Sequence, residues 1–343
     1  MTTIHDPELF TVGPDEVVVT FATSDAAPVI TRVGDHEVIS TGPYHVARVT
    51  GLEPSTPYRL EVDGAERSVL LPAVVTTLAA PPGRHLATVA TVNDVHFGEH
   101  ECGKLGTPEE LGPVFSTAPG ETPYWDTMNR GAIDEIDALA PDAVIVKGDL
   151  TDVGSEEEYA LFLDAYTRLG DRMHHVRGNH DAMITSTIAS AHAPFTVEVP
   201  GATLAVLDTV RPGTDRGRIS ASQLEWLDAL AGAAAHAVLV FGHHHPWDPN
   251  SSDRNETYFG INPDDSEALC AVIDRHESIA GYFAGHTHRN RVRRFRQARN
   301  VPVVEVACVK DYPGAWAEYR LHEGGYTQLV RRIAAPDAMA WTE

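Results

Sequence analysis

Histidine is unusually abundant here, 18 in 343 residues, and many fall in short motifs with glycine and aspartate: Asp94-Val-His96, Gly148-Asp149, Gly178-Asn-His-Asp181, His244-His-Pro246 and Gly285-His-Thr-His288. Aspartate supplies hard anionic oxygen, histidine supplies imidazole nitrogen, and Asn179 offers an amide oxygen without charge. That donor set suits a pair of divalent or transition metal ions, with Mn, Fe or Zn the natural occupants. Taken singly the motifs are weak. D-x-H and G-D are usually accidental, and G-D is often only a turn. In G-N-H-D the asparagine could be a left-handed turn residue and the aspartate a cap. The triplet His243-His-His245 could hold one core histidine and two solvated ones, and His174 and His175 read as ordinary histidines. Five motifs in one order, each after an apolar β-rich run, are not readily produced by chance.

The runs preceding the motifs are LATVATVND, AVIVKGD, MHHVRGN, AVLVFGH and IAGYFAGH. With TLAVLDT they alternate with helical stretches at about 124–139, 156–169, 221–233 and 264–276, a pattern of α/β layers. Asn262-Pro263 gives the last helix an N-cap followed by proline at its first position. Ligands of open α/β sheets gather beyond the carboxyl ends of the strands, so distant segments can converge there. On extended strands, Asp94 with His96 and His286 with His288 would each point to one face. After the last motif, VRRFRQ, VPVVEV, AEYRLHE and YTQLVRRI read as terminal strands.

Residues 1–80 differ. Short β-rich runs separated by glycine, proline and aspartate, without a helical stripe, predict a small all-β sandwich. The segment Gly51-Leu-Glu-Pro-Ser-Thr-Pro-Tyr58 resembles the G-L-x-P-x-T-x-Y of fibronectin type III modules, whose tyrosine sits at a strand corner. Ala79-Ala-Pro-Pro-Gly83 reads as a linker, and 84–343 as the catalytic domain.

The formal charge of −23, from 49 acidic and 26 basic residues, disfavours long DNA or RNA, which need a continuous basic surface. A small anion can still bind where metal ions reverse the local field. Cys102, Cys270 and Cys308 are odd in number and scattered, so no disulfide framework is expected. The first residues lack a signal-peptide pattern and no long apolar run occurs, so the expectation is a cytoplasmic protein without a membrane partner. A homo-oligomer is compatible with these features.

Over residues 86–310 the ordered motif set resembles the calcineurin-like metallophosphoesterase superfamily. It is most similar to class III cyclic-nucleotide phosphodiesterases, which keep histidine in D-x-H and carry H-H-P and G-H-x-H. The resemblance implies a four-layer α/β/β/α sandwich. It places one metal among Asp94, His96, Asp149 and His288, and a second among Asp149, Asn179, His244 and His286. His244 is chosen because the family ligand lies two residues before the proline. It also implies a metal-bridging hydroxide attacking phosphorus in line, with His180 steadying the transition state or protonating the leaving oxygen and Asp181 orienting His180. A fibronectin-like module before this fold is similar to purple acid phosphatases. However, His96 replaces their glycine and Asp152 their tyrosine, so no purple iron(III) centre is expected.

The expected substrate is a cyclic nucleotide or another small phosphodiester, with phosphomonoester hydrolysis the nearest alternative. A nuclease is disfavoured by the acidic balance. Non-catalytic scaffolds of this superfamily typically lose ligands, and all seven are present here. Long loops at Phe97–Trp125 and Pro246–Pro263 flank the motifs. Trp247, Tyr258 or Phe259 could stack on a base or simply pack the loop down. Six arginines between Arg289 and Arg299 could draw in phosphate or line an exposed hairpin.

Overall fold

The computed structural model describes residues 2–103, 114–185, 187–190 and 193–342. Seven strands come first: β1 (Ile4–Val12), β2 (Glu16–Thr23), β3 (Val29–Val33), β4 (His36–Ser40), β5 (Tyr44–Thr50), β6 (Pro57–Val62) and β7 (Val74–Thr76). They form two antiparallel sheets, ordered β1-β2-β5 and β4-β3-β6-β7, closed on a core that includes Val17, Val19, Phe21, Val33 and Leu60. The Tyr58 hydroxyl accepts the Glu53 amide at 2.8 Å, the corner bond expected from the motif. Both faces of β2 are buried. Val17, Val19 and Phe21 face the module's own core, whereas Glu16, Val18 and Thr20 are also covered. Glu16 meets Arg331 at 2.7 and 2.8 Å, and the Thr11 hydroxyl donates to the Val330 carbonyl, so the module is fastened to the following domain by polar contacts.

That domain contains β8 (His85–Val92), the two-residue strands β9 (Glu101–Cys102) and β10 (Phe115–Ser116), α1 (Tyr124–Leu139), β11 (Ala143–Lys147), α2 (Glu156–Tyr166), β12 (Met173–Val176), β13 (Phe195–Val199), β14 (Ala202–Val206), α3 (Ala221–Ala233), β15 (Ala237–Phe241), α4 (Pro263–Arg275), β16 (Ile279–Ala284), β17 (Arg291–Arg294), β18 (Pro302–Glu305), β19 (Ala315–His322), β20 (Gly325–Arg332) and α5 (Pro336–Thr342). One mixed sheet runs β12-β11-β8-β19-β20 and the other β13-β14-β15-β16-β18-β17. They pack face to face through residues such as Val89, Ile145 and Tyr319 against Leu204, Phe241 and Phe283. Helices α1 and α2 cover the outer face of the first sheet, and α3 and α4 that of the second. Strands buried on both faces read as continuous apolar runs, which explains AVIV in β11 and AVLVF in β15.

Caps delimit the helices. Ser155 and Glu158 form a capping box on α2, Ser220 accepts from Gln223 on α3, and Asn262 accepts from Asp265 on α4 with Pro263 following. The helix expected over 156–169 is shorter: α2 ends at Tyr166 and a 3₁₀ turn follows, with Gly170 at φ 61°. Helix α5 was not expected. It rests on α1 through Trp341 stacked on Tyr124, centroids 4.4 Å apart. Among the described residues, no helix is long and apolar enough to cross a membrane.

Candidate metal centre

Each motif begins where a strand stops. Strands β8, β11, β12, β15 and β16 end at Val92, Lys147, Val176, Phe241 and Ala284, and the motif residues lie in the turns that follow. Contrary to expectation, strand alternation does not aim the side chains of D-x-H and H-x-H. Asp94, His96, Asp149, His286 and His288 all have positive φ, between 45° and 70°, so left-handed turns rather than extended strands aim their side chains. Non-glycine residues reach that region at a cost of about 1–3 kcal/mol each and persist only where surroundings over-determine them. The first two turns brace each other: the amides of Val95 and His96 donate to the Asp149 carbonyl at 3.0 and 2.9 Å. The third turn touches them because of glycine. A Cβ on Gly178 would lie 2.2 Å from Asp149 Oδ1, and one on Gly148 2.6 Å from the Gly178 nitrogen.

All seven expected ligands are brought together. Asp94, His96 and His288 offer donor atoms within 4.8 Å of one another, as do His243, His244 and His286. Asp149 belongs to both sides, grouping with His96 and His180 and also with Asp94 and His243. Asp94 accepts the His286 amide at 3.0 Å, and His288 Nε2 stands 3.5 Å from Asp94 Oδ1. His96 Nε2 is 3.6 Å from Asp149 Oδ2. Six of the seven are buried, and His288 is 32% exposed on its side chain.

Electrostatics separates the histidines. Burial, reinforced by neighbouring cationic groups, pushes His96, His244 and His286 well below the ordinary imidazole range. They are therefore neutral with lone pairs available, the state a metal ligand requires. Both nitrogens of His96, and Nε2 of His244 and His286, are buried without a hydrogen-bond partner among the described residues. A buried polar nitrogen without a partner is costly, and a metal ion is the partner this donor chemistry fits. Although burial opposes it, His243, His180 and His96 hold the Asp149 carboxyl well below the carboxylate range.

The His244 assignment gains a physical rationale. Its Nδ1 bonds Thr209 Oγ1 at 2.9 Å, fixing the ring and leaving Nε2 over, the usual arrangement behind a ligating histidine. Sequence reasoning missed the role of its neighbour. His243 Nδ1 bonds the Lys147 carbonyl at 2.8 Å, and its Nε2 lies 3.0 Å from Asn179 Oδ1 and 3.2 Å from Asp149 Oδ2. Against the effect of burial, Asp149 raises this imidazole to about 9. His243 thus clamps two of the expected ligands, and only its place beside His244 hinted at it.

The expectation that Asp181 orients His180 is also corrected. Asp181 points inward and accepts from the amides of Gly178, Leu150 and Thr151 and from the Thr151 hydroxyl, so it pins the second and third turns together. His180 instead bonds the Asp152 backbone carbonyl through Nδ1. Its ring is 4.4 Å from that of His96. Beneath His96 lies a cluster with no sequence signal, in which Lys310 meets Glu99 at 2.6 Å and Tyr124 donates to Glu99 at 2.6 Å. The loop aromatics divide: Trp247 is buried under Arg254, whereas Phe259 stacks on His286 at 4.0 Å. Arg293 and Arg299 are taken up by structural contacts with Glu305 and with backbone carbonyls.

Residues 87–290 match the model of the calcineurin-like phosphoesterase family. The chain belongs to that family. Among curated proteins it is 31% identical over 161 residues to a cAMP/cGMP dual specificity phosphodiesterase of Mycobacterium tuberculosis, covering 44% of this chain and 49% of that one. It is 25% identical over 188 residues to the glycerophosphodiester phosphodiesterase GpdQ of Enterobacter lignolyticus, covering 50% and 66%. The chain thus spans about half to two thirds of these relatives' length. A purple acid phosphatase from yellow lupin seeds shares the fold at 12% identity and TM-score 0.51, covering 97% of this chain and 73% of that one. This calcineurin-like phosphoesterase therefore has its family domain from about residue 85, preceded by antiparallel β-sheets.

Proposed function

We propose that the protein is a two-metal phosphodiesterase acting on small diesters, with cyclic nucleotides the leading substrates. The observation that carries this reading is the convergence of seven oxygen and nitrogen donors at five strand ends, with buried imidazole nitrogens that have no hydrogen-bond partner among the described residues. Asp94, His96, Asp149 and His288 would hold one cation, and Asp149, Asn179, His244 and His286 the other. When bound, such ions supply positive charge to the phosphoryl oxygens and make a nearby water more acidic. The names of the two curated relatives support a diester over a monoester.

The chain's own residues supply the rest. His180 is only one-third exposed at the rim. Burial opposes its protonation, but Asp149 and the Asp152 carbonyl outweigh it and raise its pKa. Because Nδ1 is committed to Asp152, Nε2 is the nitrogen free to give a proton to the departing alkoxide. Phe259, covering His286, keeps water from that side. His243 holds Asp149 and Asn179 in place, so neither must reorient during turnover.

The test is metal content together with hydrolysis of bis-p-nitrophenyl phosphate and p-nitrophenyl phosphate, before and after chelation and return of Mn²⁺. About two metals per chain and chelator-reversible diester cleavage are expected. Clear preference for the monoester, or no turnover of either ester after reconstitution, overturns the reading.

A further inference from the structure

A cleft of about 320 Å³ opens beside His288, and its two walls come from different parts of the chain. One wall is Glu8, Leu9 and Phe10 of strand β1 in the N-terminal module; the other includes His288, Arg289 and Tyr312. A residue expected to hold metal thus shares a cavity with a strand nearly 280 positions earlier in sequence.

The β1 wall is shaped rather than incidental. Pairing of β1 with β2 slips between His5 and Glu8 and again between Leu9 and Thr11, and Asp6 has φ 46°. Such irregularities re-aim side chains and recur next to active sites. The strand is nonetheless held fast. The Leu9 amide donates to the Leu70 carbonyl at 2.8 Å, Glu8 accepts the Thr20 hydroxyl at 3.1 Å, and the Glu16–Arg331 pair anchors the next strand.

The chemistry of the walls indicates what they receive. Phe10 and Pro313 are apolar, and Tyr312 is 57% exposed, with the Arg332 guanidinium 5.2 Å from its ring centroid; Leu9 borders the cleft but packs against the module's core. Arg289 on the far wall can meet a phosphate oxygen, but a bare phosphate has no use for the apolar surfaces, whereas a planar ring does. The Glu8 carboxylate can accept from a sugar hydroxyl or an exocyclic amine. The volume falls at the lower end of the roughly 300–1,000 Å³ of small-molecule sites, enough for a nucleoside-sized group. We propose that this cleft is the subsite for the nucleoside-sized alcohol portion of the diester, so that the N-terminal module forms part of the substrate site. The identity of the ligand rests on the diesterase reading above.

The test is titration calorimetry of the Mn²⁺-loaded protein with adenosine 5′-monophosphate, glycerol 3-phosphate and inorganic phosphate. The nucleotide should bind about tenfold more tightly than either smaller ligand. In Phe10→Ala and in Tyr312→Ala, each of which removes a ring bordering the cleft, the ratio should collapse toward one. A wild-type ratio near one, or folded variants that keep the wild-type ratio, overturns the subsite. Should one variant fail to fold, the other decides. Because the measurement is of binding, a wild-type protein that prefers the nucleotide but cleaves no ester would refute the hydrolysis reading alone.

Discussion

This molecule holds two kinds of buried histidine, one in the N-terminal module and one at the metal centre. His45, in the N-terminal module, is 1% exposed. Its Nδ1 meets Ser40 Oγ at 2.7 Å, its Nε2 meets Thr23 Oγ1 at 3.1 Å, and its ring stacks on Phe21. His96 is as deeply buried, yet neither of its nitrogens has a hydrogen-bond partner among the described residues. Burial lowers the pKa of both. Burial and a shifted pKa therefore do not separate these two histidines; the unfilled hydrogen-bonding capacity at both nitrogens of His96 does. The backbone repeats the contrast, since His45 lies on a regular strand whereas His96 stands in a left-handed turn.

The contrast can be tested from both ends, and the largest effect belongs to the shared carboxylate. Asp149→Asn should lower diester hydrolysis by about a thousandfold or more, with parallel loss of metal by elemental analysis, because it removes the charge common to both sides. His180→Asn should keep its metal yet lose about a hundredfold in kcat, and the basic limb of the pH–rate profile should disappear. An unchanged profile would remove His180 from proton transfer.

Smaller effects should appear as stability. Burial raises the Glu16 carboxyl, but the hydrogen bonds and charges of Arg331 and Arg48 prevail and hold it at about 2, against an ordinary 4.5. The folded state therefore prefers the ionised form. The stabilisation is complete above pH 4.5 and is lost as pH falls from there toward 2. Glu16→Gln should cost about 3 kcal/mol in denaturant unfolding at neutral pH, since it leaves Arg331 short of a partner. The variant's stability should then fall less steeply over that acid range. Smallest of all, His45→Leu should cost about 1 kcal/mol by removing the ring's bonds to Ser40 and Thr23, since the Thr23 hydroxyl keeps the Asp25 and Gly42 carbonyls, with metal content and turnover unchanged. A loss of metal in that variant would break the distinction between the two histidines.

Much of this was legible in sequence because the motifs are local and mark strand ends. The Asn262-Pro263 start of α4, the alternation of strands and helices and the gathering of the motifs at strand ends follow from patterns within about a dozen residues, whereas the paired sheets and the seven-ligand set are what the family resemblance of the ordered motifs implies. What escaped was non-local or conformational. No residue type announces a left-handed Asp94 or His286, because the turns that enforce them are held by other turns. Asp181 could not be read as facing inward without knowing that the amides of Leu150 and Thr151 lie opposite it. The Glu99–Lys310 pair joins positions 211 residues apart. Strand β19, read only as one of a terminal run, enters the centre of the first sheet beside β8.

The five left-handed residues at the centre, spread over three turns, also bear on when the protein is at its sturdiest. They hold strained backbone, and imidazoles without a hydrogen-bond partner among the described residues, in one small volume, so without metal the fold would be under tension where it is most deeply packed. Ions that bind only the folded form release that tension, and at a thousandfold excess over the dissociation constant they add about 4 kcal/mol. Metal supply would then set the protein's lifetime in the cell as well as its turnover, and scarcity would remove the molecule by unfolding and proteolysis instead of leaving an idle enzyme behind.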